Sequence, residues 1–241
     1  RLSVQRLAGV VVDDGPRPPP GEPPPVVGPP WARVLDLPRL PGDPDERPRM
    51  AASSAPWRGV ELHLGADVGS LSRRAVADLP CAVGVLTTAL EPGAGGRWDE
   101  ANAVSLRLEG PAPAGISDLA VLAGGNLAAV ETAAGWELLQ FARVEAEAPG
   151  VWRLSRLLRG RQGTEAQASA GAPAGSVVVM IDEAIAPVNL TPEERGLSLE
   201  ARFVPRGSPP GGTTSTRAEV TVEGRAAKAW SPSGLVAEPG D

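Results

Sequence analysis

This chain of 241 residues has no tyrosine, one cysteine, one histidine and one lysine. Each scarcity removes a class of function. Cys81 alone can form neither an internal disulfide nor a cysteine-based zinc site. It follows Pro80 in an apolar stretch and reads as a small core residue. His63 is the one imidazole available to a Ser–His–Asp relay, and no serine-nucleophile motif stands near it. It lies in a stretch, Trp57 to Leu64, that sends Val60, Leu62 and Leu64 one way and Glu61 with His63 the other. His63 is therefore expected to be exposed or edge-facing. No loop has calcium-ligand spacing, so no metal and no cofactor is expected. No run of eighteen apolar residues exists, which leaves no helix able to span a bilayer. There is no signal peptide, and the chain opens on Arg1 instead of Met, so it reads as a piece of a longer or processed product. Net charge is −6 and the pI is about 5.0. The densest basic stretch, Arg153, Arg156, Arg159 and Arg161, is too short for a nucleic-acid footprint. An acidic surface lets DNA pass without holding it.

What the chain does contain is turn chemistry and short apolar alternation. Hydrophobic residues make up 42 % of it, enough for a sizeable core. The prolines crowd near the N-terminus, in Pro18-Pro19-Pro20, Pro23-Pro24-Pro25 and Pro29-Pro30. Proline lacks the N–H donor, so this stretch predicts an extended connector following a strand at Leu2 to Val12. Further strands are expected at Trp31–Leu40, Ala75–Asp78, Ala82–Leu90, Val104–Glu109, Ser176–Ile181, Leu197–Val204 and Ala218–Val222. Leu127–Thr132, Gly135–Val144 and Val151–Leu158, separated by Ala133-Ala134 and Pro149-Gly150, predict a three-stranded meander. Thr191 with Glu194 has capping-box spacing, and Ser117 with Asp118 suits a helix start. Nothing shows a βαβ rhythm. The expected class is mainly β: small barrel or sandwich units with short antiparallel strands and little helix. Along the chain this divides into a strand and Pro-rich arm (1–50), a β-rich unit (51–115), a meander unit (116–205), and a linker with a C-terminal strand segment (206–241).

Paired carboxylates are the remaining route to catalysis, for glycoside hydrolysis. Asp99/Glu100 and Asp182/Glu183 are adjacent, so on a strand they point to opposite faces. Glu145 and Glu147 share a face but flank the exposed turn at Pro149-Gly150, which a solvated hairpin end explains better. No catalytic set is expected.

The most specific stretch is Trp136 to Glu165, WELLQFARVEAEAPGVWRLSRLLRGRQGTE. It resembles a signature of the large tail-tip hub proteins of siphophages and gene transfer agents, sometimes called megatron proteins. The matching positions are Trp136 to Phe141, Trp152 to Ser155, Leu157 to Arg161, and Gly163 to Glu165. VLDLPRL at Val34 to Leu40 is a looser likeness. The resemblance implies a structural, trimeric baseplate hub at the tail tip of a virion or gene-transfer-agent particle. Such a hub is assembled in the bacterial cytoplasm, closes the tail tube and supports DNA delivery. Its implied partners are the distal tail ring, tail tube and fibres, with DNA passing unbound and the host envelope met indirectly. Enzymatic activity, which larger versions carry on a glycosidase-like barrel, is not expected in this piece. The alternative is a carbohydrate-binding or cell-wall glycan-hydrolysing module. The motif residues expected to carry packing or subunit contacts are Trp136, Trp152, Arg159, Gly160, Arg161, Gly163, Thr164 and Glu165. Trp136 and Trp152 are expected to pack across the hairpin, and Arg159 and Arg161 to pair with carboxylates such as Glu165 or those of a neighbouring subunit.

Overall fold

The computed structural model describes residues 27–228. The expected strand at Leu2 to Val12, the Pro-rich arm up to residue 26 and the segment opened by Trp230-Ser231-Pro232 lie outside the described residues. Thirteen strands follow in chain order: β1 (Trp31–Leu35), β2 (Arg49–Ser53), β3 (Val60–Gly65), β4 (Ser72–Ala77), β5 (Val83–Leu86), β6 (Trp98–Glu109), β7 (Leu127–Thr132), β8 (Gly135–Ala148), β9 (Val151–Leu158), β10 (Val177–Met180), β11 (Ala186–Pro187), β12 (Ser198–Pro205) and β13 (Thr216–Thr221). Two short helices, α1 (Asp118–Leu122) and α2 (Glu165–Ala170), and four single 3-10 turns complete the regular structure among the described residues. The fold is mainly β, as the alternation and turn spacing predict.

Six strands close into an antiparallel barrel in the order β10-β5-β6-β9-β8-β7. Its meander β7-β8-β9 turns at Ala133-Ala134 and at Pro149-Gly150. Alternation fills the lumen with Leu86, Val104, Leu106, Leu108, Val130, Leu139, Phe141, Leu154 and Val178. Leu154 and Leu157 both face inward although three apart, because Arg156 sits at φ 53° opposite a bulge in β6.

Outside the barrel lie a three-stranded sheet, β1-β2-β11, and a four-stranded sheet, β13-β12-β3-β4. The three-stranded sheet is the middle layer. Ala32, Met50 and Ala52 pack against Leu62, Leu64 and Phe203 of the four-stranded sheet. Leu35 and Ala51 pack on the barrel wall against Cys81, Val83, Leu138 and Val179. Burial on both faces explains why β2 (RMAAS) shows no polar–apolar alternation. Ser176–Ile181 is covered on both faces for the same reason: Val178 enters the lumen and Val179 meets the middle layer.

The chain threads these layers in an interleaved order. The barrel takes β5 and β6 from before residue 115 and β7 to β10 from after it. The four-stranded sheet joins β3 and β4 to β12 and β13 across more than a hundred residues. The stretches 51–115 and 116–205 are therefore not separate packed units, because antiparallel pairing between distant strands outweighs sequence proximity here.

His63 is placed differently from the expectation. It does lie on the polar face of β3, but β3 is an inner strand, flanked by β12 and β4. Arg202 and Arg73 stand opposite it and Glu61 is 3.5 Å away, so only 15 % of its side chain is exposed.

Candidate functional site at the Arg159 bend

The strand phase that sends Leu139 and Phe141 into the barrel sends Glu137 the same way, at the end of the lumen. β9 does the same with Leu157 and then Arg159. Both polar side chains are fully buried. A lone ion there would be prohibitively costly, so each requires the other. Arg159 Nε donates to Glu137 Oε1 at 2.6 Å, and a terminal guanidinium nitrogen donates to Oε2 at 2.9 Å, a bidentate fork. The other terminal nitrogen donates to the Glu91 carbonyl at 2.9 Å and lies 3.4 Å from Asp99 Oδ2. The Gly160 N–H donates to Glu137 Oε1 at 3.3 Å.

A Gly-rich loop, residues 91–97, covers the guanidinium. A Cβ at Gly93 would stand 2.6 Å from the Arg159 guanidinium, and one at Gly95 would stand 2.8 Å from Glu165 Cγ. The glycines of EPGAGGR thus permit close approach of backbone to a buried cation. The Gly93 N–H donates to the Ala168 carbonyl at 3.0 Å, tying the loop to α2.

The bend itself is built from left-handed residues. Gly160 has φ 60°, Gln162 φ 56° and Gly163 φ 80°. A Cβ on Gly160 would stand 2.9 Å from Glu165 Cα. Buried Thr164 accepts from the Leu138 N–H at 3.0 Å and donates to the Arg161 carbonyl at 2.7 Å. Arg161 Nε donates to Gln140 Oε1 at 2.8 Å, while Gln140 Nε2 donates to the carbonyls of Val121 and Gly125, each at 2.7 Å. The motif therefore joins the barrel end to both helices.

Two expectations are corrected here. Trp136 and Trp152 do not meet across the hairpin: Trp136 is registered with Glu131 of β7, and Trp152 with Ala146 of β8 and Leu106 of β6. The β8–β9 hairpin turns so far beyond Trp136 that the two indoles fall at opposite ends of β8. Nor is Glu165 the carboxylate of Arg159 or Arg161. It begins α2 with an exposed side chain, and Glu137 and Gln140 take those guanidiniums instead. Glu137 stands in the matching Trp136–Phe141 stretch and on the Leu139 and Phe141 face of β8, but nothing there named it as the partner of Arg159. Asp99 and Gln140 were not expected as partners of the bend, because only the closed barrel brings Asp99 to Arg159 and Gln140 to Arg161.

The other residues weighed for chemistry are occupied or scattered. Glu145 and Glu147 are exposed at the far end of β8, with Arg153 opposite Glu145. Glu100 pairs with Arg156, which also forks onto Asp118 and stacks 4.5 Å over the Trp98 ring. Asp182 caps the Ala184 N–H at 2.9 Å. Cys81 is buried, and burial pushes its thiol up to about 11.

Asp99 is set below the usual carboxylate range: burial opposes this, but the side chain and N–H of Asn102 and the charge of Arg159 outweigh it. A depressed folded pKa adds stability above the unfolded value of about 3.9, lost as pH falls through the folded value. Asp99→Asn is accordingly expected to flatten the loss of stability in acid. Urea midpoints between pH 5 and pH 2 check this, since an unchanged slope removes Asp99 as a contributor. Gln140→Leu, which orphans the buried Val121 carbonyl and the half-buried Gly125 carbonyl, should cost about 1–3 kcal/mol in the same assay at pH 7.

A buried ion pair, a glycine cover and hydrogen bonds reaching both helices close this end of the barrel. Residues 81–179 match the family model described as Rcc01698-like, C-terminal. The match runs from just before β5 to β10, so it coincides with the six-stranded barrel and holds the whole Trp136–Glu165 motif. No curated protein matches the chain.

Proposed function

We propose that this chain is a structural part of a phage-like tail-tip hub of the gene-transfer-agent type, which helps close the tail tube and supports DNA delivery. The observation that carries the reading is the use made of the motif. Its Trp136–Glu165 signature, which resembles that of tail-tip hubs, is spent on a buried lock. Arg159, Gly160, Arg161 and Thr164 all bond inward, to Glu137, Gln140 and Leu138. Residues consumed in this way hold a shape. An acidic chain with short basic stretches also suits a passage for DNA that must not bind it.

The test is to insert an epitope in the loop at residues 208–214 and label intact particles for electron microscopy. Label at the tail tip, in the copies of a symmetric ring, supports the reading. Label absent from particles, or a soluble monomer that binds cell-wall glycan, overturns it.

A further inference from the structure

The capped turn before β12 ends in a small knob. Glu194 closes the 3-10 turn Pro192–Glu194 and is held by Arg74 at 2.6 Å. Arg195 follows with extended backbone, and Gly196, at φ 75°, turns the chain toward β12. Leu197 stands two residues before the core residue Leu199, so strand alternation would bury it. It lies ahead of Ser198, the first residue of β12, and is left 53 % exposed. Arg195 is exposed as well and makes no ion pair among the described residues, since the neighbouring Glu194 is taken by Arg74. The knob thus holds a leucine and a cation, two residues apart, that the fold leaves without partners.

A surface of the opposite kind lies elsewhere on the molecule. A cavity of about 350 Å³ has Leu40, Leu127, Ile181 and Ile185 on its walls and the exposed carboxylates of Asp182 and Glu183 at its margin. Leu122, 58 % exposed, stands two residues from Gly124, which also lines it. The cations near this cavity are already engaged: Arg49 by the Asp43 carboxylate at 2.5 Å, and Arg39 by the Asp43 carbonyl at 3.1 Å. Asp182 accepts from the Ala184 N–H, and neither Asp182 nor Glu183 has a cation among the described residues. Within one copy the two surfaces do not meet, because Arg195 lines a separate cavity with Pro44 to Pro48. We propose that Leu197 of one copy enters the Asp182–Glu183 cavity of the next, with Arg195 on its two carboxylates. An apolar anchor inside a rim of complementary charge is the arrangement that fixes partner and register at protein contacts. Knob and cavity are different surfaces, so the contact is head-to-tail and builds a ring or a filament according to the angle between them. This inference stands on the two surfaces and not on the tail-tip reading. Label absent from particles would leave it standing, and a monomeric chain that binds no glycan would sink it alone.

The test uses the full chain. Sedimentation over a range of concentrations should show the parent associating with itself. Glu183→Arg and Arg195→Glu should each weaken that association at least about tenfold, by setting like charges together. Both changes in one chain should recover part of it, because the reversed pair attracts again. Both positions are exposed, so the fold of the single chain tolerates the changes. Leu197→Cys and Glu183→Cys, in separate chains that are then mixed, should on mild oxidation give the mixed disulfide in excess over either homodimer. Cys81 is buried and stays out of the reaction. A parent that remains monomeric at every concentration overturns the proposal. So does a double variant that associates no better than the single ones, or a mixed disulfide no more abundant than the homodimers.

Discussion

Glu137→Ala lowers the stability of this protein by about 3–5 kcal/mol, because it strands the Arg159 guanidinium in the barrel end without its counter-charge. For a chain of this length that is a fall in Tm of roughly 6–20 °C. Arg159→Ala should cost a similar amount, by leaving Glu137 unpaired. Glu137→Gln keeps the shape and one acceptor and should cost less than Glu137→Ala. The diagnostic variant is the double change of Glu137→Leu with Arg159→Met. Removing both charges is nearly neutral in many buried pairs, so the double variant should be more stable than either single one. Some loss remains, since the Glu91 carbonyl and the Gly160 N–H lose their partners. Thermal unfolding of the parent, Glu137→Leu, Arg159→Met and the double variant checks the cycle. Additive single-variant losses would mean that the two residues do not act as a pair.

The second large effect is expected at Gly84. It pairs with Leu108 in β6 and with Val178 in β10, in the middle of the barrel wall. A Cβ there would stand 1.9 Å from the Arg107 carbonyl oxygen and 2.9 Å from Leu108 Cα. Those are backbone atoms of the neighbouring strand and cannot rotate away. Gly84→Ala must therefore push β5 off β6 and loosen the barrel at its shortest strands. We expect a loss of about 3 kcal/mol or more, the upper end for overpacking. Gly124→Ala is the control: its Cβ meets nothing within 4 Å, but its φ of 104° strains any side chain, so a smaller loss is expected there. Urea unfolding of the two variants ranks them, and a Gly84→Ala variant as stable as the parent would refute the close approach of β5 to β6.

Much of the local structure is legible in the residues themselves. Val104, Leu106 and Leu108 announce a half-buried strand, and Ala133-Ala134 and Pro149-Gly150 announce the turns of the meander. The capping box of Thr191 and Glu194 forms, with Glu194 accepting from the Thr191 N–H at 2.9 Å. The Ser117 cap does too, accepting from the Ala120 N–H at 3.3 Å. Such features depend on neighbours within a few residues, so the chain order suffices to read them.

The candidate site is legible only in part. The motif residues Arg159 to Glu165 stand out by type and spacing, yet their partners do not. Glu137 is 22 residues from Arg159, and Glu91 is 68 residues away. Nothing in the order of residues selects Glu137 over Glu165 as the counter-ion. Burial selects it: Glu165 reaches water at the start of α2, whereas Glu137 has no exit from the lumen and must meet a cation.

By itself, then, the sequence determined the β class, the meander, the turn positions and a bend rich in arginine and glycine. Periodicity and turn preferences act over a few residues and do not wait for the rest of the fold. Tertiary structure alone decided that six strands close into a barrel, that a middle sheet is buried on both faces, and that Glu137 locks Arg159. Those outcomes come from strand pairings across tens to more than a hundred residues, where burial of apolar faces and pairing of buried charge choose among partners that the chain order leaves equivalent.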